Sequence, residues 1–174
     1  MNLAVTAVGR DRPGIVAAIT GVLLEFGGNV DDSQMSILHG QFAVMLIVSV
    51  PEGSDLDAIS RRLHEVGTEL DLGGITVSEV SGLDRGPGPS HVLTVYGADR
   101  PGIVHDVAAL LARHDVNITD LRTRRTGSPD APLYTMMMEV SVPASASGLE
   151  EALGGLAGEK GVEAHLAELE TEVL

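Results

Sequence analysis

The sequence predicts an α+β protein in which one βαββαβ unit is used twice. Three observations carry that expectation. "GRDRPGIV" at residues 9–16 returns as "GADRPGIV" at 97–104. The residues around it return at the same spacing, Thr6, Gly9, Leu23, Asn29 and Asp32 falling on Thr94, Gly97, Leu111, Asn117 and Asp120. Within each copy the apolar pattern switches between the period of a strand and that of a helix, in the order strand, helix, strand, strand, helix, strand.

Leu3 to Val8 is a β-type run that Gly9 ends, and Pro13 suits the first turn of a helix, where a missing N–H costs nothing. Ile15, Val16, Ile19, Val22, Leu23 and Phe26 keep one helical face apolar until Gly27 and Gly28 stop it. Ile103, Val104, Val107, Leu110 and Leu111 repeat that face. Asn29 to Leu38, a turn at His39-Gly40 and "QFAVMLIVSV" read as a hairpin that Pro51 ends. Leu56, Ile59, Leu63, Val66 and Leu70 trace a second helical face, and "GGITVSEV" supplies the last strand. The order is that of the ferredoxin-like split unit, an antiparallel sheet with helices on one face. "VSVP" at 48–51 matches "VSVP" at 140–143, so the second copy holds four extra residues, assigned to the loop "TGSPDAP". "SGLDRGPGPS" reads as a linker from its Gly and Pro content. The expected division is a first domain over 1–81, a linker over 82–89 and a second domain over 90–174.

Composition narrows the function. A chain of 174 residues, 44% hydrophobic, can bury a core in each of two small domains. The absence of cysteine excludes disulfides, zinc fingers, thiol nucleophiles and iron–sulfur clusters. Six histidines show no HxH or HExxH spacing, so no metal site and no cofactor is expected. A formal charge of −14 repels phosphate backbones and anionic membranes, which points away from nucleic acid and toward a small molecule or a protein as partner. Two Phe, two Tyr and no Trp also argue against RNA recognition, which needs stacking aromatics. The N-terminus lacks a basic region and its apolar run is too short for a signal peptide or a span, so a cytoplasmic protein is expected.

The third strand is apolar on both faces in "FAVMLIV" and nearly so in "YTMMMEVSV". An antiparallel sheet with one wet face alternates more cleanly. The second face is therefore expected to be covered, by the other copy or by another chain, and a homodimer is expected. The charge clusters Asp31-Asp32 and "RTRR" at 122–125 are read as solvated or paired across an interface.

The duplicated loop has the makings of an anion site. A strand runs through Asp11-Arg12 into a helix opening at Pro13-Gly14, so unpaired N–H groups face outward at the positive end of the helix dipole. Gly14 has no side chain, so a ligand or a facing backbone can come close. The plainer reading is that Asp11 caps its helix and Arg12 is solvated. Asn29 and Asn117 follow the first helix, as caps or as an amide that serves a zwitterion from a neighbouring domain. His105 and Asp106 stand where the first copy has Ala17 and Ala18, a small asymmetry beside the second loop.

Strand, "DRPGIV", helix, then "NV" or "NI" opening the next strand resembles the ACT domain, and the resemblance covers nearly the whole chain. As a pair without any catalytic domain, carrying "LAVTAVGRDRPGIVAAIT" and "GGNVDDSQMS", the sequence is similar to the glycine cleavage system transcriptional repressor family. The resemblance implies ligand sites at interfaces between two modules, formed by Asp11, Arg12, Pro13, Gly14, Ile15 and Asn29, and by Asp99, Arg100, Pro101, Gly102, Ile103 and Asn117. It also implies glycine as effector and a DNA-binding regulatory protein as partner. Asp115-Val116 in place of Gly27-Gly28 makes the two sites unequal. The expected function is thus non-catalytic: binding of a small amino acid, with occupancy passed to a regulatory partner. The alternatives are an interaction module without a ligand, and an acylphosphatase-like enzyme that would use Arg12 and Asn29.

Overall fold

Alternating burial along the first strand fixes which face of its sheet is covered. In the computed structural model, which describes residues 1–83, 86–128 and 131–169, the chain divides into two units, 1–84 and 85–174. In the first, β1 (Asn2–Arg10) buries Leu3, Val5 and Ala7 completely. Ala4 and Thr6 point the other way and are half-buried, because neighbouring side chains on a strand take opposite faces. α1 (Ile15–Glu25) lays Ile15, Ile19, Val22 and Leu23 on the covered face. β2 (Asn29–Leu38) and β3 (Gln41–Ser49) form the predicted hairpin. α2 (Leu56–Glu69) adds Ile59, Leu63 and Val66 to the same core, with Asp55 accepting from the Ala58 N–H at 3.0 Å as its cap. β4 (Leu72–Val80) completes an antiparallel sheet in the order β2-β3-β1-β4.

The second unit repeats this with β5 (His91–Ala98), α3 (Ile103–Arg113), β6 (Asn117–Ser128), β7 (Ala131–Ser141), α4 (Leu149–Lys160) and β8 (Val162–Glu168), in the order β6-β7-β5-β8. Leu93, Val95, Leu111, Met136, Met138 and Val140 form its core. These are two ferredoxin-like βαββαβ units, as the pattern predicts. The four extra residues do not form a longer loop. They lengthen β6 and β7 by two residues each relative to β2 and β3, so the insertion is taken up as ladder. Pro129 and Asp130, part of the expected loop, lie outside the described residues, as do Asp84 and Arg85 of the expected linker.

Gly9 does not end its strand. It sits inside β1 at the register shift against β4, where an added Cβ would stand 2.7 Å from Leu72 Cδ2 and 2.9 Å from Leu72 Cα. Gly97 meets Val162 in the same way, at 2.9 Å from its Cγ1 and 3.0 Å from its Cα. The repeated glycine is a packing requirement between the strands. The hairpin turn puts His39 at φ 50 and Gly40 at φ 78, and a two-residue loop with both angles positive matches the twist of the flanking strands.

The faces away from the helices differ between the units. In the first, paired positions place Ala4, Thr6 and Val8 beside Ile47, Met45 and Ala43 of β3 and beside Ser78, Thr76 and Gly74 of β4. In the second, Val92, Thr94 and Tyr96 lie beside Glu139, Met137 and Thr135 of β7 and beside Ala167, His165 and Glu163 of β8.

Candidate functional site

Both duplicated loops leave their strand, hold one residue in a left-handed conformation and then start a helix. The helices begin at Ile15 and Ile103, so Pro13 and Pro101 precede them and do not occupy the first turn as expected. Gly14 at φ 97 and Gly102 at φ 94 stand at the N-caps. An L side chain at such an angle costs roughly 1–2 kcal/mol, which accounts for both glycines. Nothing lies within 4 Å of where a Cβ on Gly14 would stand, whereas at Gly102 the Asp106 carboxylate is 3.3 Å away. Neither helix receives a side-chain cap, so Asp11 and Asp99 do not play the capping part that a plain reading gives them. The first intrahelical bonds run from Ala18 N–H to Gly14 O and from Asp106 N–H to Gly102 O, each 2.9 Å. The N–H groups ahead of them form the positive end of the dipole.

The loop is tied down on both sides. The Asp11 N–H donates to Gly40 O at 2.9 Å, and the Asp99 N–H to Pro132 O at 3.3 Å, which fastens each loop to the neighbouring hairpin. Arg12 Nη2 donates to Glu69 O at 3.0 Å, at the C-terminus of α2. Arg100 holds the matching place, its guanidinium nitrogens 3.5 Å from where a Cβ on Gly161 would stand, and Gly161 is the C-cap of α4. A cation suits the negative end of a helix dipole, so both arginines have a local electrostatic role. Asp11, Arg12, Pro13 and Gly14 are exposed, while Ile15 and Ile103 are core residues that offer a ligand only their backbone.

Asn29 and Asn117 are not brought to the loops of their own units. Asn29 shares its β3 partner, Ser49, with Asn2, at the far end of β1 from Arg10. At about 3.3 Å per residue the two ends of that strand are roughly 26 Å apart. Asn117 likewise pairs with Ser141, beyond the His91 end of β5. Neither Asn caps a helix. Asn29 Nδ2 donates to Asp31 Oδ1 at 2.8 Å, and Ser49 Oγ donates to the same oxygen at 3.1 Å. The exchange of Gly27-Gly28 for Asp115-Val116 leaves the backbone course unchanged. Gly28 and Val116 N–H bond to Leu23 O and Leu111 O at 2.8 and 3.0 Å, with Asp115 at φ 55 taking the left-handed place of Gly27 at φ 71.

Unit 2 has a feature that the repeat pattern could not reveal. Tyr96, Gly97, Ala98, Asp99, Pro132 and Leu133 help to line an open cleft of about 560 Å³, together with Gly161, Val162 and Glu163. The Tyr96 hydroxyl donates to the Glu163 carboxylate, and that bond and its charge raise the tyrosine pKa above the ordinary value. Asp99 Oδ2 pairs with Arg125 Nε at 3.0 Å, and Arg122 Nε pairs with Asp120 Oδ2 at 3.0 Å, so two of the clustered arginines are engaged within their own unit. Asp106 pairs with Lys160 Nζ at 2.5 Å, joining α3 to α4. This contact holds the Asp106 carboxyl below its usual range and the Lys160 ammonium above its own. Unit 1 has Val8, Ala18 and Gly74 at the places of Tyr96, Asp106 and Glu163, and of these only Asp106 is marked by comparing the two copies in sequence.

The ACT-domain profile matches the chain twice, at residues 2–77 and at 91–158. The chain is 32% identical to the glycine cleavage system transcriptional repressor of Escherichia coli K12 over 162 residues, which is 90% of this chain and 84% of that protein. It belongs to the ACT-domain family, as a tandem pair of the repressor type. A protein of unknown function from Galdieria sulphuraria has a solved structure that superimposes on this tandem pair with a TM-score of 0.79 at 30% identity, covering 97% and 98% of the two chains. The crystal structure of a putative glycine cleavage system transcriptional repressor superimposes with a TM-score of 0.73 at 20% identity, covering 97% and 96%, which is a likeness of fold. Among the described residues no helix is long and apolar enough to cross a membrane.

Proposed function

We propose that this tandem ACT protein is a non-catalytic cytoplasmic regulator that binds a small amino acid, glycine or one close to it in size, and passes its occupancy to a transcriptional or metabolic partner protein. The observation that carries the reading is the duplicated loop itself. Two exposed turns each offer a left-handed glycine and an uncapped helix N-terminus to a carboxylate. The acidic side chain of the loop and a strand-opening Asn from a neighbouring ACT module supply the acceptors for the ammonium group. The distance of Asn29 from its own loop supports that sharing, since one module alone cannot close the ring of ligands. Kinship with the repressor of Escherichia coli supports a regulatory role. The exposed sheet faces support assembly as a homodimer.

Separated chains spanning 1–83 and 88–174 test the shared site. Each is expected to lose amino-acid binding in calorimetry, and mixing is expected to restore part of it. A half that light scattering shows to be monomeric, yet binds as tightly as the intact chain, contradicts the reading. The acidic surface makes a second expectation: at ~0.15 M salt the chain alone retards no promoter fragment, and tight retardation would assign DNA contact to this protein and not to its partner.

A further inference from the structure

We infer that the helix-free sheet face of unit 1, and not that of unit 2, is the surface through which two copies of this chain pair. The inference rests on the dimer reading above and is independent of any ligand.

A two-fold interface must match itself, so every charge on it returns on the partner as a like charge near the axis or as a charge that needs a new counterpart. For a chain of formal charge −14 that is a severe filter. Unit 1 passes it. Its free face carries Asn2, Ala4, Thr6 and Val8 on β1, Ala43, Met45 and Ile47 on β3, Thr76 and Ser78 on β4, and Gln34, Ser36 and Leu38 on β2. Its charges are Arg10 beside the loop and Asp31 and Asp32 on the edge strand β2, with Asp32 opposite Ile47, and apart from Arg10 the central strands β1 and β3 carry none. Unit 2 fails it: Asp120 stands where unit 1 has Asp32, and Arg122 and Arg124 on β6, Glu163 on β8 and Glu139 on the central strand β7 are added to the corresponding face.

Relief and size agree with the charge pattern. Val8, Met45 and Leu38 stand exposed among the small side chains of Ala4, Thr6, Ala43 and Thr76, a relief that lets two such faces interdigitate at the ~10 Å spacing of stacked sheets. Four strands about 4.8 Å apart and roughly 26 Å long present about 500 Å² of flat footprint. Two such faces together reach the roughly 1,000 Å² that a specific interface needs, before side-chain relief is added.

Met45 and Met137 occupy the same place in the two units, Met45 opposite Thr6 and Met137 opposite Thr94, 52% and 39% exposed. The test is sedimentation equilibrium of the full chain in amino-acid-free buffer, comparing wild type with Met45→Lys and Met137→Lys, with circular dichroism to confirm that each variant is folded. The wild type is expected to be a dimer. Met45→Lys is expected to raise the dimer dissociation constant roughly 100-fold or more, because two ammonium groups are brought together in a desolvated face. Met137→Lys is expected to leave it within about threefold. A second variant, Thr76→Asp, is expected to act like Met45→Lys. A dimer that survives both unit 1 variants, or one that Met137→Lys disperses, overturns the assignment of the face while leaving the dimer reading in place. A wild type that stays monomeric at ~100 µM overturns both, and gives the face to a different protein.

Discussion

Unit 1 presents Val8, Met45 and Ile47 where unit 2 presents Tyr96, Met137 and Glu139, yet behind these residues the two sheets have the same strand order and antiparallel pairing. The loop is shared as closely as the sheet. Gly14 and Gly102 differ by three degrees in φ, and Arg12 and Arg100 both settle at the end of the second helix. What the two units keep in common is therefore backbone geometry at one end of the sheet, and what distinguishes them is the chemistry of the face that no helix covers. The two turns are thus nearly equal in backbone, although the Asp106 carboxylate stands beside Gly102 alone, while the two uncovered faces are different surfaces.

The largest expected effect breaks the common part. Gly9→Ala and Gly97→Ala each push a Cβ into β4 or β8, and overpacking of this kind costs about 1–3 kcal/mol. Urea unfolding should show similar losses for the two variants. A neutral result at one of them would show that its strand can give way, and that the two units are not built alike there.

A smaller effect sharpens the helix-end comparison. Asp115 holds a left-handed angle that Gly27 holds in unit 1. Asp115→Gly should therefore stabilise unit 2 by about 0.5–1 kcal/mol, and Gly27→Asp should destabilise unit 1 by a similar amount. Thermal denaturation of the two variants reads both signs. Asp115→Gly falling below wild type would show that the aspartate side chain contributes more than its backbone costs.

The smallest effect concerns the ion pair that unit 1 lacks. Asp106 is held below its ordinary value of 3.8, so its contribution is present above that pH and is lost as the pH falls through the lowered value. Lys160 is held above its ordinary 10.5, so its contribution is present below that pH and is lost as the pH rises through the raised value. Asp106→Asn should therefore lower the melting temperature slightly at pH 7 and make no difference in strong acid. An equal deficit at pH 7 and at pH 2 would assign the effect to packing and not to charge.

The fold was legible because β1 and β3 alternate in burial, the helices each keep one buried face, and the hairpin turn carries His39-Gly40 at the two positive angles, which places β2 although it is exposed along its whole length. Helix starts were less so. Pro13 announces a first turn, but the left-handed angle at Gly14 delays the helix to Ile15. Gly9 read as a stop because composition cannot show that a neighbouring strand passes 2.9 Å from its absent Cβ. Of the expected site, the contiguous loop residues come together of necessity, whereas Asn29 stands at the other end of the sheet, a separation that only register reveals. Asp106 stood out as an asymmetry against Ala18, but its partner Lys160, and the pair Tyr96 and Glu163, were missed because they have no counterparts in unit 1.

Isothermal calorimetry of the full chain, wild type against the double variant Gly14→Val/Gly102→Val, is the most direct measurement of whether the duplicated loops hold an amino acid. Both positions are exposed, so the units should stay folded, and circular dichroism checks that they do. The expected result is saturable binding of glycine, or of another among the twenty amino acids, to the wild type, with affinity reduced about tenfold or more in the variant. That reduction corresponds to at least about 1.4 kcal/mol of lost interaction. Equal affinity in the two folded proteins, or no binding heat from any amino acid with the wild type, would contradict a ligand-binding role for the loops and leave them as turns that anchor Arg12 and Arg100.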